Sequence, residues 1–181
     1  MSTEWRFDMQ HSSIHFMVRH LLVAKVHGRF TRWTGSLRFD ESNPSASSVE
    51  VTIDASSIDT SEPQRDAHLR SPDFFDVGRH PSIVFKSTRV ERTGEATYKL
   101  EGELTIRGIT RTAVVDVEYG GALRDPLGND RAGFSAKAVV NRKAFGMTFN
   151  QVLDHGGLAL GELVSIGIDV EATKIAAKSA A

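Results

Sequence analysis

The sequence predicts an all-β fold of about eight strands, and three observations carry that prediction. Apolar and polar residues alternate with period two along most of the chain. Turn residues interrupt the alternation at short intervals. Helix signals are confined to one short segment.

Taken in chain order, SIHFMVR turns Ile14, Phe16 and Val18 to one side. Between His27 and Asp40 a second strand breaks phase, because Phe30 is even whereas Trp33, Leu37 and Phe39 are odd. A bend or bulge near Arg32 reconciles them. VEVTIDA places Val49, Val51, Ile53 and Ala55 inside, and SIVFKS does the same for Ile83 and Phe85. TYKLEGELTIR sets Tyr98, Leu100, Gly102, Leu104 and Ile106 against Lys99, Glu101, Glu103, Thr105 and Arg107. After the turn RGIT, TAVVDVEY returns with Ala113, Val115, Val117 and Tyr119 inside, so the two runs form a β-hairpin. RAGFSAKAVV offers Ala132, Phe134, Ala136, Ala138 and Val140, and LVSIGIDVEA offers Val164, Ile166, Ile168, Val170 and Ala172.

Strands with one apolar and one wet face belong to an antiparallel sheet that must cover the apolar side. Closing the sheet into a barrel covers that side and removes exposed edges. A two-sheet sandwich is the alternative, and periodicity does not separate the two. The inferred inner face is lean at Gly102, Ala113, Ala132, Ala136 and Ala138. Either these small residues face large neighbours such as Phe16, Phe39 or Phe85, or they leave a cavity for a ligand.

The helix signals lie in DTSEPQRDAHLRSPDFFD. Ser61 and Gln64 match a capping box, Glu62 adds negative charge at the first turn, and Pro63 is tolerated there. A helix over about 62–70 follows, with Asp66 and Arg70 as an i,i+4 pair. Pro72 ends it, and Ser71 caps a further turn that delivers Phe74 and Phe75. His68 with Asp66 resembles a base and its orienting group, but no nucleophile is placed nearby. The segment reads as a lid or plug on a barrel end.

Composition narrows the function. One domain fits 181 residues, and a net charge of −1 leaves no basic field for nucleic acid. The absence of cysteine excludes thiolate nucleophiles and thiolate zinc sites. His11 and His15 do not converge on a strand, and no third ligand is suggested, so no metal is expected. The glycines of DHGGLALG (154–161) read as a turn feeding the last strand rather than a phosphate loop. No apolar run is long enough for a membrane helix. The N-terminus shows no secretory signal, so the expected location is cytoplasmic.

Seven stretches, in order along the chain, resemble the YceI-like family of bacterial lipid-binding, or polyisoprenoid-binding, domains. They are DMQHSSIHFMVRH, GRFTRWTGSLRFDESNP, VEVTIDASSIDT, RDAHLRSPDFFD with HPSIVFKS, EGELTIRGIT, AGFSAKAVVNRKAFG and HGGLALGELVSIGIDVEA. The resemblance implies an extended lipocalin-like barrel whose pore holds a long apolar chain; the domain is expected over residues 1–173, and residues 174–181 read as a frayed tail. The implied ligand is a polyprenyl chain, quinone or fatty-acid derivative. It implies no cofactor, metal or catalytic residue, and a homodimer is left open. Many relatives carry a signal peptide and act in the periplasm; this chain departs from that pattern.

Ligand-lining candidates are Phe16, Val18, Phe30, Trp33, Phe39, Phe74, Phe75, Phe85, Phe134 and Phe145, with Ala136 and Ala138 on the open side. Arg19, His20 and Arg142 are the polar candidates for a phosphate or quinone oxygen near a mouth. For each, plain core packing or a solvated strand end is the competing reading. A binding protein for carriage or storage is favoured over an enzyme acting on a lipid-like substrate in the same pocket, because no nucleophile or paired titratable groups are evident.

Overall fold

The computed structural model describes residues 3–21, 23–154 and 157–175. These form eleven strands: β1 (Thr3–Phe7), β2 (Ser13–His20), β3 (Ala24–Phe30), β4 (Trp33–Phe39), β5 (Ser48–Asp54), β6 (Ile58–Asp59), β7 (Ser82–Arg92), β8 (Thr97–Ile106), β9 (Ile109–Arg124), β10 (Asp130–Asn141) and β11 (Leu160–Lys174). One α-helix, α1 (Pro63–Arg70), separates β6 from β7.

All pairings are antiparallel, and they run β1-β4-β5-β7-β8-β9-β10-β11 before β11 returns to β1. The sheet is therefore a closed barrel of eight staves, which decides between barrel and sandwich. The other three strands arise because neighbouring staves are broken at one level. β1 and β2 lie end to end along β11, opposite 172–174 and 160–169 respectively. β3 and β4 are likewise one broken stave, paired with β2 and β1. β6 continues the line of β5 and pairs only with β3.

The phase break read at Arg32 lies at that level: β3 stops at Phe30, β4 starts at Trp33, and both rings are buried. Ser57 stitches the gap. Its Oγ accepts the Arg32 N–H at 3.1 Å and donates to the Asp54 carbonyl, while its own carbonyl accepts from Thr31 N–H. The backbone groups freed by the break are thus satisfied inside the fold.

The hairpin between β8 and β9 turns on Arg107 and Gly108, at φ 52° and 71°. That pair of left-handed residues matches the twist of the strands it joins. One end of the barrel is filled with aromatic side chains. Phe39 meets Tyr98, Tyr119 and Phe134 with ring centroids 5.0–5.8 Å apart. Trp5, Phe7, Ala132 and Ala172 are buried in the same core. We refer to this as the aromatic end and to the other, where α1 sits, as the lid end.

Three sequence expectations need correction. The cap of α1 is Glu62, whose carboxylate accepts the N–H groups of Gln64 and Arg65 at 3.1 and 2.6 Å; Ser61 is in the left-handed region and caps nothing. Asp66 and Arg70 do not pair. β6 has a free edge, so Thr60 and the carbonyls of Ser56 and Ile58 offer stronger, buried partners. Finally, Lys174 is no tail residue: it pairs with Trp5 as the last residue of β11, and Ile175 N–H donates to Glu4. The remainder of the expected tail, 176–181, lies outside the described residues.

Candidate functional site

The inward rows of the strands enclose a cavity of about 480 Å³. That lies within the ~300–1,000 Å³ typical of small-molecule sites. Along β10 the wall runs from Phe134 through Ala136 and Ala138 to Val140. Seven residues of strand, six rises in all, make that wall roughly 20 Å long. β11 contributes Val164, Ile166, Ile168 and Val170 beside it, so the cavity is an elongated pore.

The lean inner face divides into two kinds of small residue. Gly102 is small because the Phe85 ring lies over it; a Cβ there would fall 2.5 Å from Phe85 Cζ. Ala132 is packed in the aromatic core. Ala136 and Ala138, opposite Ile168 and Ile166, face the open pore. Both readings of the small residues are therefore realised, at different heights in one barrel.

Of the candidates named from sequence, Phe16, Val18, His20, Phe30, Trp33, Phe39, Phe74, Phe75, Phe85, Phe134, Ala136, Ala138 and Arg142 line the cavity. Two do not. Arg19 falls on the outward phase of β2 and is exposed. Phe145 belongs to a 3₁₀ turn over Arg142–Phe145, begun by Asn141 Oδ1 accepting the Lys143 N–H. Strand alternation ends there, and the Phe145 ring packs into the core instead of the pore.

The wall is apolar along its middle apart from His15, and its other polar members lie towards its ends, with Arg38, Ser47 and Ser48 at one and His20, Arg65, His68, Asn150 and Gln151 at the other. Helix α1 is pinned at the lid end by the charged residues that resemble catalytic equipment in the sequence. Asp66 Oδ1 accepts the N–H and hydroxyl of Thr60 at 2.9 and 2.6 Å. Arg65 donates to the Thr60 hydroxyl and carbonyl, and Arg70 to the carbonyls of Ser56 and Ile58. These bonds fasten the helix to the unpaired edge of β6. His68 turns away from Asp66 and pairs with Asp73 at 2.8 Å.

The segment after α1 delivers Phe74 and Phe75 as expected, one to each side of the closure. Phe75 meets Phe30 edge-on at 5.8 Å, and Phe30 in turn meets Phe16. Phe74 and His68 close on Phe149, with centroids 5.4 and 4.7 Å away. This three-ring clasp joins the lid to the loop between β10 and β11. Phe149 is absent from the sequence reading, although Met147, Phe149 and Gln151 continue a period-two pattern past the 3₁₀ turn.

Arg142 lines the wall as expected, but not in the expected role. It is only 3% exposed, and no carboxylate among the described residues pairs with its guanidinium. Nε donates to Gly161 O at 2.8 Å, Nη1 to Met147 O and Phe149 O at 2.7 and 2.8 Å, and Nη2 to Leu160 O at 3.3 Å. Burial pushes its pKa down, partly offset by Glu162. Four of its five N–H donors are engaged by backbone. It braces the loop behind the clasp and is not a free cation for a ligand phosphate. Asn150 adds a two-way bond to the Leu160 backbone from the same loop. The expected turn at 154–161 is present as Val152 bridging Leu158 and Leu153 N–H donating to Gly157 O; His155 and Gly156 at its centre lie outside the described residues.

One set of potential metal ligands converges among the described residues, contrary to the spacing argument. Asp8, His11 and Glu171 bring ligand atoms within 4.8 Å of one another on the outer wall. Arg131 already donates to Asp8 at 2.7 Å and to Glu171 at 3.4 Å. His11 and Arg131 together hold the Asp8 carboxyl well below its ordinary range. The group is an ion-pair network around a guanidinium. His15 lies elsewhere, over Gly167. No helix among the described residues is long and apolar enough to cross a membrane.

The architecture has close counterparts. Residues 5–172 match the YceI-like domain. A UPF0312 protein of Pectobacterium carotovorum is 41% identical over 150 residues, 82% of this chain and 78% of the relative. A UPF0312 protein of Pseudomonas paraeruginosa is 40% identical over 149 residues, 81% and 78% of the two chains. Among solved structures, BcnA of Burkholderia cenocepacia superposes with TM-score 0.81 at 21% identity, covering 91% of this chain and 98% of its own. The YceI protein of Campylobacter jejuni gives TM-score 0.75 at 28% identity, over 87% and 90%. A polyisoprenoid binding domain from Saccharophagus degradans gives 0.67 at 12% identity, over 97% and 100%, and shares the fold. With the family model covering nearly the whole barrel, the chain belongs to the YceI-like domain family.

Proposed function

We propose that the protein binds and holds a long apolar chain of the isoprenoid or fatty-acyl class in the pore, for carriage or storage. One observation carries the reading: an elongated pore whose middle is lined, His15 apart, by aliphatic and aromatic side chains, with the other polar groups towards its ends. A chain placed there would gain ~0.8 kcal/mol per buried CH₂ before its ordering cost is met. Polar groups at the ends suit a ligand whose polar head lies at a mouth. The Saccharophagus degradans domain, described as polyisoprenoid binding, supports the ligand class through its fold alone.

Binding is favoured over catalysis by the use made of the polar groups. Asp66, Arg65, Arg70 and Arg142 are committed to holding the lid and the loop together. Mass spectrometry of an organic extract from natively purified protein tests the proposal. A stoichiometric lipid with a long apolar chain is expected. An extract without lipid, together with failure to take up added polyprenyl or fatty-acyl chains, would remove the reading.

The clasp makes a kinetic prediction. Phe74→Ala combined with Phe75→Ala should speed release of a bound chain by tenfold or more, with cooperative unfolding retained, because such changes fall mainly on dissociation. Release followed by transfer of a fluorescent fatty-acyl chain to excess vesicles measures it. An unchanged rate with ligand confirmed at the start would show that the rings do not gate the pore.

A further inference from the structure

At the lid end two hairpin tips stand side by side, and both are aliphatic. The turn between β2 and β3 presents Leu21 and Val23, and the loop into β11 presents Val152 and Leu158; Val23 and Val152 are 81% and 75% exposed. Leu21 N–H donates to Ala159 O at 2.8 Å, and Val152 faces Leu158 across an antiparallel bridge, so the four form one patch. The patch is continuous with the pore: His20, Ala159 and Leu160, its neighbours along the chain, are pore wall.

Charge identifies what the patch meets. Arg19 and Lys25 sit directly opposite one another on the outer face of the same hairpin. Like charges in that relation destabilise a sheet, yet neither cation makes an ion pair among the described residues. Of the nearby acids, Glu162 is engaged by Lys143 at 2.6 Å, which leaves Asp154 on the loop. The aromatic end differs. Its β9–β10 tip exposes Leu127, but the cations beside it, Arg124 and Arg131, are already paired with Asp130 and Asp125, and aromatic rings fill the barrel behind it. Aliphatic side chains that protrude next to unpaired cations suit the interface of an anionic bilayer.

We infer that the lid end docks on an anionic lipid bilayer, with Leu21, Val23, Val152 and Leu158 entering the interface and Arg19 and Lys25 meeting the headgroups. The inference rests on the proposed lipid-holding function, since a bilayer is the reservoir from which such a chain is loaded or to which it is returned. Flotation of the protein with vesicles of phosphatidylcholine, with or without phosphatidylglycerol, tests it. Wild type should float with the mixed vesicles and weakly or not at all with phosphatidylcholine alone. Val23→Ser with Val152→Ser should lose about tenfold or more in partitioning, with the thermal midpoint unchanged. Arg19→Gln and Lys25→Gln should each lose about fivefold, only on the anionic vesicles. Absence of wild-type flotation overturns the inference, as does flotation that the serine pair leaves unchanged. Self-association that the serine pair abolishes, without vesicle binding, would assign the patch to a second copy and overturn it as well. Flotation does not read the pore contents. Intact docking with a lipid-free extract would remove the holding function alone, and the converse result would remove the docking alone.

Discussion

Replacing Arg142 with methionine should lower stability by about 3 kcal/mol or more, and the thermal midpoint by roughly 10 °C for a chain of this size. Four carbonyls, those of Met147, Phe149, Leu160 and Gly161, share one guanidinium. Leu160 O keeps the Asn150 amide as a donor at 2.7 Å, so methionine leaves three carbonyls without one, at ~1 kcal/mol or more each. Some of that loss is returned, because the substitution also removes a charge held 97% away from solvent by burial, as its 3% exposure shows. The carbonyls remain, however, and their strands cannot re-pair without moving. Arg142→Lys is the informative companion. A single ammonium keeps the charge but cannot reach four acceptors in a planar fork, so it should fall between wild type and methionine. The 147–160 loop should also become protease-sensitive in the methionine variant, since Phe149 would lose its anchor and the clasp with His68 and Phe74 would loosen. A midpoint within a degree or two of wild type would show that the brace carries no weight.

The strands were legible because their residues alternate and because one face of each is wet. Tyr98 to Ile106 is the clearest case, with every inward assignment buried or half-buried. The break at Arg32 was legible for the same reason: a phase change between Phe30 and Trp33 cannot be accommodated in one straight strand. What the alternation does not carry is which staves are broken together, since that depends on β1 and β2 sharing one edge of β11, a pairing about 150 residues away in sequence. The capping box at Ser61 failed for a related reason. Its local signal is real, but Asp59 and the edge of β6 set the entry of the chain, and Glu62 is then the residue in reach of the free amides.

The site residues divide along the same line. Inward aromatic and alanine residues on β2, β3, β4, β7 and β10 follow from strand phase, and so does the exclusion of Arg19, which sits on the opposite phase from Phe16 and Val18. Arg142 and Phe145 lie just past the end of β10, where a 3₁₀ turn replaces the alternation. Strand logic extended one turn too far places Phe145 in the pore and Arg142 at a mouth. The buried brace has no local sequence signal, and the resumed period-two pattern at Met147 and Phe149 does not show what Phe149 meets, because both features consist of contacts between segments that meet only when the barrel closes.

Ala136→Trp should sharply reduce lipid occupancy while leaving the ligand-free barrel nearly as stable as wild type. Ala136 lies mid-strand on β10, opposite Val117 and Ile168, and its Cβ faces the pore. An indole ring added there enters the ~480 Å³ cavity instead of a packed core. Forcing a ring into a close-packed site costs roughly 1–3 kcal/mol, whereas filling open apolar space buries new surface at little strain. The same ring blocks the stretch of β10 wall where two successive inward side chains are alanine, so a long chain could no longer pass from the lid end to the aromatic end. Two measurements are needed on one preparation: lipid extracted per protein, and the thermal midpoint after delipidation. The reference must be delipidated wild type, because a bound chain raises apparent stability by mass action. Ala132→Trp provides the contrast, since Ala132 is 2% exposed within the aromatic core and should overpack there at a cost of 1–3 kcal/mol or more. A collapse of both variants would mean that β10 is packed along its whole length. Normal lipid occupancy in Ala136→Trp, with its stability retained, would mean that the bound chain runs elsewhere than along β10.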